Sequence, residues 1–293
     1  MAKYLDPKAD LTFKKVFGEH PDLVISLLNA LLPFTTAEEY ITSVKYLNAE
    51  LVPETPLRKN SIVDVRCMDS KGRQFIVEMQ MIWSPEFMQR VMFNSAKAYV
   101  RQLDRNEDFH LLEPVYSLNL VNDVFEKDVP EYYHYYRMVH EMYTDKVIDG
   151  LHLIFVELPK FRPHSMTEKK MQVLWLRYLT EIEESTRNAP QELLDNPEIS
   201  KALTAVEESA YTDEQLLGYD KFWDVIRTER TIVNSAARRG REKGYAEGHE
   251  QGRAEGEHEK ALAIARKMKS KGLPVEDIKE ITGLTAEEIE QLL

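Results

Sequence analysis

The sequence predicts an α/β fold of the α+β kind: a mixed β-sheet core flanked by helices, with a helical C-terminal extension. Three observations carry that expectation. Apolar segments of helical length come first, at 11–17 and 22–32. Runs rich in β-branched and aromatic residues follow at 40–48, 60–68, 74–82, 114–122, 131–142 and 151–158, with a helical stretch among them. Beyond Pro163 the composition is helical. Helices arriving in blocks around strands cover a sheet and share one core with it.

Each element has its own signal. Asp10 is placed to cap a helix Leu11–Phe17 that stops at Gly18, because a carboxylate accepts from free amides and glycine takes the left-handed exit. Residues 22–32 are apolar on nearly every face, which suits a helix wedged inside a domain. Pro53 and Pro56 put an irregular loop between the first two strands. Ser84 and Pro85 supply an N-cap and a first-turn proline for a helix running to about Arg105. The strands at 114–122, 131–142 and 151–158 then complete a core over 1–165.

Helices at 168–187, 191–208 and 213–229 form an extension over 166–235. In 236–256 glycine recurs every fourth residue, at Gly240, Gly244, Gly248, Gly252 and Gly256. Each costs a helix about 1 kcal/mol relative to alanine, so a solvated, marginally helical arm is expected. A small helical module occupies 257–293, with a stop at Gly272-Leu273-Pro274 and a last helix opened by a Thr285/Glu288 capping box. Leu262, Ile264, Ile278, Ile281, Leu284, Ile289 and Leu292 are its apolar set. That is too few for an independent domain, so self-association or partner docking through 257–293 is expected.

Charge and composition exclude several classes. The 293 residues hold 38 Lys+Arg against 50 Asp+Glu, a net charge of −12 that argues against a generic basic nucleic-acid coat and leaves room for a local cationic cleft. The single cysteine, Cys67, excludes an internal disulfide framework and a Cys-rich zinc site, and suits a reducing compartment. No apolar run nears the ~20 residues of a membrane span, and the N-terminus lacks an apolar stretch of signal-peptide length. A soluble, cytoplasmic chain is expected. Phosphate-loop, zincin and nucleophile-elbow patterns are absent. His134, His140 and His152, with Tyr132, Tyr133, Tyr135 and Tyr136, read as parts of packed strands.

The segment 60–82 holds the chemistry. Strand alternation puts Val63, Val65 and Cys67 on one face and Ile62, Asp64 and Arg66 on the other; in the next strand Phe75, Val77, Met79 and Met81 oppose Glu78 and Gln80. Pairing symmetric about Lys71 sets Asp64 directly across from Glu78, with Cβ atoms about 5 Å apart. Two ionised carboxylates there repel. A divalent cation would offset the repulsion, since Mg²⁺ takes one or two carboxylates plus waters and phosphate oxygens. A surface cluster neutralised by Arg66 is the alternative. On the following helix Arg90, Asn94, Lys97, Arg101 and Arg105 recur at spacings of four, three, four and four. They form a cationic stripe over ~23 Å that matches a phosphate backbone. A solvated face is the competing reading, and Lys14 and Lys15 are similarly ambiguous.

Asp64, followed after thirteen residues by Glu78-Met79-Gln80, resembles the D…(D/E)-x-K signature of the PD-(D/E)xK nucleases, with glutamine in place of the lysine. D-x-x-F-K at Asp10–Lys14, L-N-A-L-L at 28–32, the G-R-Q-F-I-V-E-M-Q block, the Arg90…Tyr99 helix and V-E-L-P-K at 156–160 resemble the bacterial recombination-promoting nuclease/transposase family over nearly the whole chain. The resemblance implies a restriction-endonuclease-like core making Mg²⁺-dependent cuts in DNA, with Mn²⁺ able to substitute, in recombination, mobile elements or defence against foreign DNA. It implies Asp64 and Glu78 as metal ligands, the Met79 carbonyl as a third and Gln80 positioning the attacking water; Lys14, Arg90, Asn94, Lys97, Tyr99 and Arg101 are the candidate DNA contacts. Two departures stand out. Residues 23–32 contain no acid, Glu19 lying just outside, and Gln80 lacks the charge of the usual lysine. A catalytically weak nuclease-fold DNA-binding or regulatory module is the second reading.

Overall fold

Two helices open the chain, α1 (Asp10–Glu19) and α2 (Pro21–Leu31). Asp10 does not cap α1. The cap position is Ala9, and the Asp10 carboxylate instead pairs with Lys14 one turn on, at 2.6 Å. Gly18 lies inside the helix, which ends where His20 turns extended at φ −119°. The proline at 21 disfavours helical backbone in the residue before it, and this sets the boundary instead of the glycine. The computed structural model describes residues 3–51, 61–104, 106–163 and 170–292. The Pro53–Pro56 loop and Arg105 lie outside them.

The strands are β1 (Val44–Tyr46), β2 (Glu50–Leu51), β3 (Ser61–Ile62), β4 (Val65–Asp69), β5 (Gln74–Gln80), β6 (Val115–Val121), β7 (Tyr133–His140) and β8 (Tyr143–Glu157). Helix α3 (Pro85–Val100) stands between β5 and β6, with Pro85 in its first turn. The main sheet is six-stranded and mixed, in the order β1-β4-β5-β6-β8-β7, and β2 pairs with β3 separately. β5, β6 and β8 run parallel at its centre, and the flanking pairs are antiparallel.

The β4–β5 hairpin keeps the register expected about Lys71: Val65 faces Val77 and Cys67 faces Phe75. Gly72, at φ +86°, makes the left-handed step of the turn, and the Asp69 carboxylate accepts from the Lys71 and Arg73 amides at 2.9 and 3.0 Å.

Side chains alternate between two apolar layers. Val65, Cys67, Phe75, Val77, Leu118, Leu120, Ile154 and Val156 pack with α1, α2, α4 (Lys170–Glu181) and α6 (Pro197–Ala205). Ile76 and Val115 on the other face meet Ala98 of α3, and Val121 and Phe155 meet Phe87 and Val91. One expectation fails here. Val63 packs with Ile76 and Ala98, not with Val65 and Cys67, because the chain bends at Asp64 and breaks the alternation.

The strand histidines are hydrogen-bonded. His134 meets the fully buried Glu157 at 2.9 Å, and His152 sits between Tyr135 and Asp149 at 2.6 and 2.5 Å. Glu157 also accepts from Lys160 and from the amides of Phe125 and Glu126. Burial pushes its carboxyl up, but the hydrogen bonds from Lys160, His134 and the two amides outweigh that and hold it below the usual range. The V-E-L-P-K block is therefore a clasp joining the end of β8 to the loop after β6.

The chain divides into two compact units, Met1–Arg227 and Thr228–Leu293. Within the first, α5 (Gln191–Leu194) precedes α6, and α7 (Asp213–Lys269) begins. In the second, α7 continues through all five glycines and ends at Lys269, followed by α8 (Val275–Thr282) and α9 (Ala286–Glu290). The arm is thus helical throughout, though solvated. Arg238–Glu242, Lys243–Glu247 and Arg253–Glu257 stand one turn apart within 4.0 Å, and such pairs offset part of the glycine penalty.

Ile278, Leu284, Ile289 and Leu292 are buried around Ala265, while Ile264 and Ile281 of the expected apolar set are exposed. The Thr285/Glu288 capping box forms, and Lys269 donates to the carbonyls of Ile289, Glu290 and Leu292. Among the described residues no helix is long and apolar enough to cross a membrane.

Candidate active site

Three elements meet at the bend before β4. Asp64 sits at the bend and Glu78 near the end of β5, the first approached by a side chain from α1 and the second by two from α3. The Asp64 carboxylate takes over a strand neighbour's role: its Oδ2 accepts from the Met79 amide at 2.8 Å. Its Oδ1 lies 3.9 Å from Lys14 Nζ, which also binds Asp10 at 2.6 Å. Glu78 has a side chain only 5% exposed. Its Oε1 accepts from Asn94 Nδ2 at 3.1 Å, and its Oε2 lies 3.4 Å from an Arg90 terminal nitrogen.

Burial pushes both carboxyls above the usual range. For Asp64 the Met79 amide and Lys14 pull the other way, and for Glu78 Arg90 and Asn94 do, while Asp64 itself adds to the rise at Glu78. Two acids whose charge is disfavoured by burial, and further by Asp10 at Asp64 and by Asp64 at Glu78, make a site that gains from a cation. Their donor set is all oxygen. Among the described residues no group of three or more His, Cys, Asp or Glu forms a cage. An all-oxygen pair of carboxylates suits Mg²⁺, which takes one or two carboxylates and completes its shell with water and phosphate oxygens. Cys67 is buried, its thiol pushed up to about 12, so thiolate chemistry has no place here.

Gln80 has both amide atoms engaged. Nε2 donates to the Ile82 carbonyl at 2.5 Å, and Oε1 accepts from Arg90 at 2.8 Å. Met79 is half-buried against the core. Arg66, the alternative counter-ion for the acids, turns away to Gln74 at 2.8 Å.

The α3 stripe is not an exposed line. Asn94 is fully buried on Glu78, and Arg90 reaches inward to Glu78 and Gln80. A buried carboxylate needs donors, and the facing helix supplies them. Lys97 donates to the Leu51 carbonyl and lies 5.6 Å from the Phe93 ring. The half-buried Tyr99 rests against β8, where a Cβ on Gly150 would lie 3.4 Å from its ring. Arg101 is half-buried at the end of α3. The residue overlooked from sequence is Asp10, read as a cap. Its four-residue spacing from Lys14 was the signal for a pair beside Asp64.

The loops beyond the site are stiffened. The Trp83 amide donates to Asp123 at 3.1 Å, and the Trp83 ring stacks on Phe125 at 4.1 Å. The segments leaving β5 and β6 are thereby locked together.

Two family models match the chain. The one described as PD-(D/E)XK nuclease family transposase covers residues 7–236, and the one described as Rpn/YhgA-like nuclease family, C-terminal HTH domain, covers 258–293. No curated protein and no solved structure matches.

Proposed function

The chain belongs to the PD-(D/E)XK nuclease family transposases, and from that premise we propose that it is a metal-dependent DNA endonuclease. The observation supporting this is the Asp64–Glu78 pair, Glu78 buried and Asp64 half-buried, whose acidities are both weakened by burial and whose oxygens match a hard divalent cation. Asp64, Glu78 and the Met79 carbonyl would hold Mg²⁺, or Mn²⁺ in its place. When bound, the ion polarises a phosphoryl oxygen and lowers the pKa of a coordinated water.

The chain's own residues do the rest. Asn94 orients Glu78, the Met79 amide orients Asp64, and Lys14 and Arg90 place positive charge on either side of the pair. DNA is the proposed substrate and partner, with Lys97 and Arg101 on α3 as phosphate contacts. The helix-turn-helix match at 258–293 supports a second contact with DNA or with another copy.

Nicking of supercoiled plasmid by the purified full-length protein tests the reading. Cutting should require Mg²⁺ or Mn²⁺ and stop with EDTA. An inert protein that still binds DNA would favour a regulatory module, a reading supported by glutamine standing where the signature has lysine.

A further inference from the structure

Gln80 commits one N–H of its amide to the Ile82 carbonyl at 2.5 Å. That bond decides which end of the amide is oxygen. The oxygen points at α3 and accepts from the Arg90 guanidinium at 2.8 Å, and the same guanidinium nitrogen lies 3.4 Å from Glu78 Oε2. A lysine at this position would carry its ammonium one atom beyond Oε1, toward the space the guanidinium takes up. The Arg90 guanidinium carbon lies 4.8 Å from the Phe87 ring centroid, and 47% of the side chain is open to solvent. The charge missing from β5 is therefore delivered from the neighbouring helix, on a side chain that solvent can reach.

We propose that Gln80 and Arg90 together replace the signature lysine. Arg90 is the cation that faces the negative charge developing on the scissile phosphate. Gln80 is the positioning residue that holds it. The proposal rests on the reading of Asp64 and Glu78 as the metal-holding pair. Guanidinium suits the role, because it stays charged and offers planar donors to phosphate oxygens. Glutamine suits position 80 for the complementary reason: a lysine there would confront Arg90 with a second cation.

The test compares full-length wild type with Arg90→Ala, Gln80→Lys and the double variant, measuring plasmid nicking in Mn²⁺, Mn²⁺ affinity by calorimetry, and DNA affinity in Ca²⁺. Arg90→Ala should lower kcat by roughly 10²–10³-fold with KM little changed, the range for removing one preorganised donor to developing charge. Its Mn²⁺ affinity should hold or tighten, since a competing cation has left Glu78; a merely structural arginine would weaken it. Gln80→Lys alone should also lose activity, and the double variant should recover most of it by returning one cation to the site. A double variant no better than Arg90→Ala, or a defect confined to KM and DNA affinity, would overturn the pairing. A wild type that cuts beside an undiminished Arg90→Ala would overturn this proposal alone, whereas a wild type inert with every metal would remove the nuclease reading and the pairing with it.

Discussion

The burial of Glu78 and partial burial of Asp64 make these two carboxylates a source of instability. Each carboxyl has a folded pKa above its reference value, 3.8 for Asp64 and 4.5 for Glu78, so folding favours the neutral acid. That contribution is complete below the reference values and is lost as pH rises through the raised folded ones. In EDTA the protein should therefore be less stable at pH 7 than near pH 4 as far as these two groups are concerned. Asp64→Asn and Glu78→Gln should each raise the melting temperature at pH 7 in EDTA by a few degrees, flatten its pH dependence and abolish nicking. Variants that melt lower in EDTA, or still nick, would make the acids structural. Asn94 is the second test at this scale. It is fully buried and bonded to Glu78. Asn94→Leu leaves Glu78 Oε1 without that donor and should cost about 1–3 kcal/mol at pH 7 in EDTA, read from urea unfolding. An unchanged midpoint would mean the bond contributes nothing.

At the scale of elements, α3 divides its labour along its length. Its first half turns Arg90 and Asn94 to the carboxylates, and its second half carries Lys97, with Arg101 capping its C-terminal end. Lys97→Glu with Arg101→Glu should weaken DNA binding on any sequence and reduce the slope of log K against log salt by about one unit per lost phosphate contact. An unchanged slope would return those residues to a solvated face. The long helix α7 makes a different prediction. A Cβ on Gly244 or Gly248 would meet nothing within 4 Å. Alanine at either should stabilise the helix locally by about 1 kcal/mol, visible as greater helicity on heating by circular dichroism. A loss of helicity would show that the glycines serve contacts of their own.

At the scale of the whole chain, an overall charge of −12 coexists with a site where Lys14 lies near Asp64 and Arg90 near Glu78, so the proposed DNA contact would rest on the placement of charge and not on its total. The nuclease family match ends at 236 and the second match begins at 258. Ending the chain after Ser235 should leave metal-dependent nicking intact, lower the oligomer mass in light scattering and weaken binding to long DNA through lost avidity. A truncated protein that keeps both mass and affinity would dismiss 257–293 as a partner element. One that loses metal binding would move the functional boundary.

Much of what is local was legible in the sequence. Alternation, proline and glycine placement and a symmetric turn set the β4–β5 register and so brought Asp64 toward Glu78; the capping box at Thr285 followed from residues three apart. These depend on side-chain periodicity and on backbone groups a few residues away, which any reader of the string can count. What approaches from another element was not legible. The inward turn of Arg90 and Asn94 answers the burial of Glu78, a property of the packed sheet and helix, and from helical spacing alone they looked like an exposed stripe. The bend that moved Val63 to the other layer, the approach of Lys14 to Asp64 and the engagement of Gln80 by Arg90 likewise arise only in the packed structure, where segments distant in sequence come together.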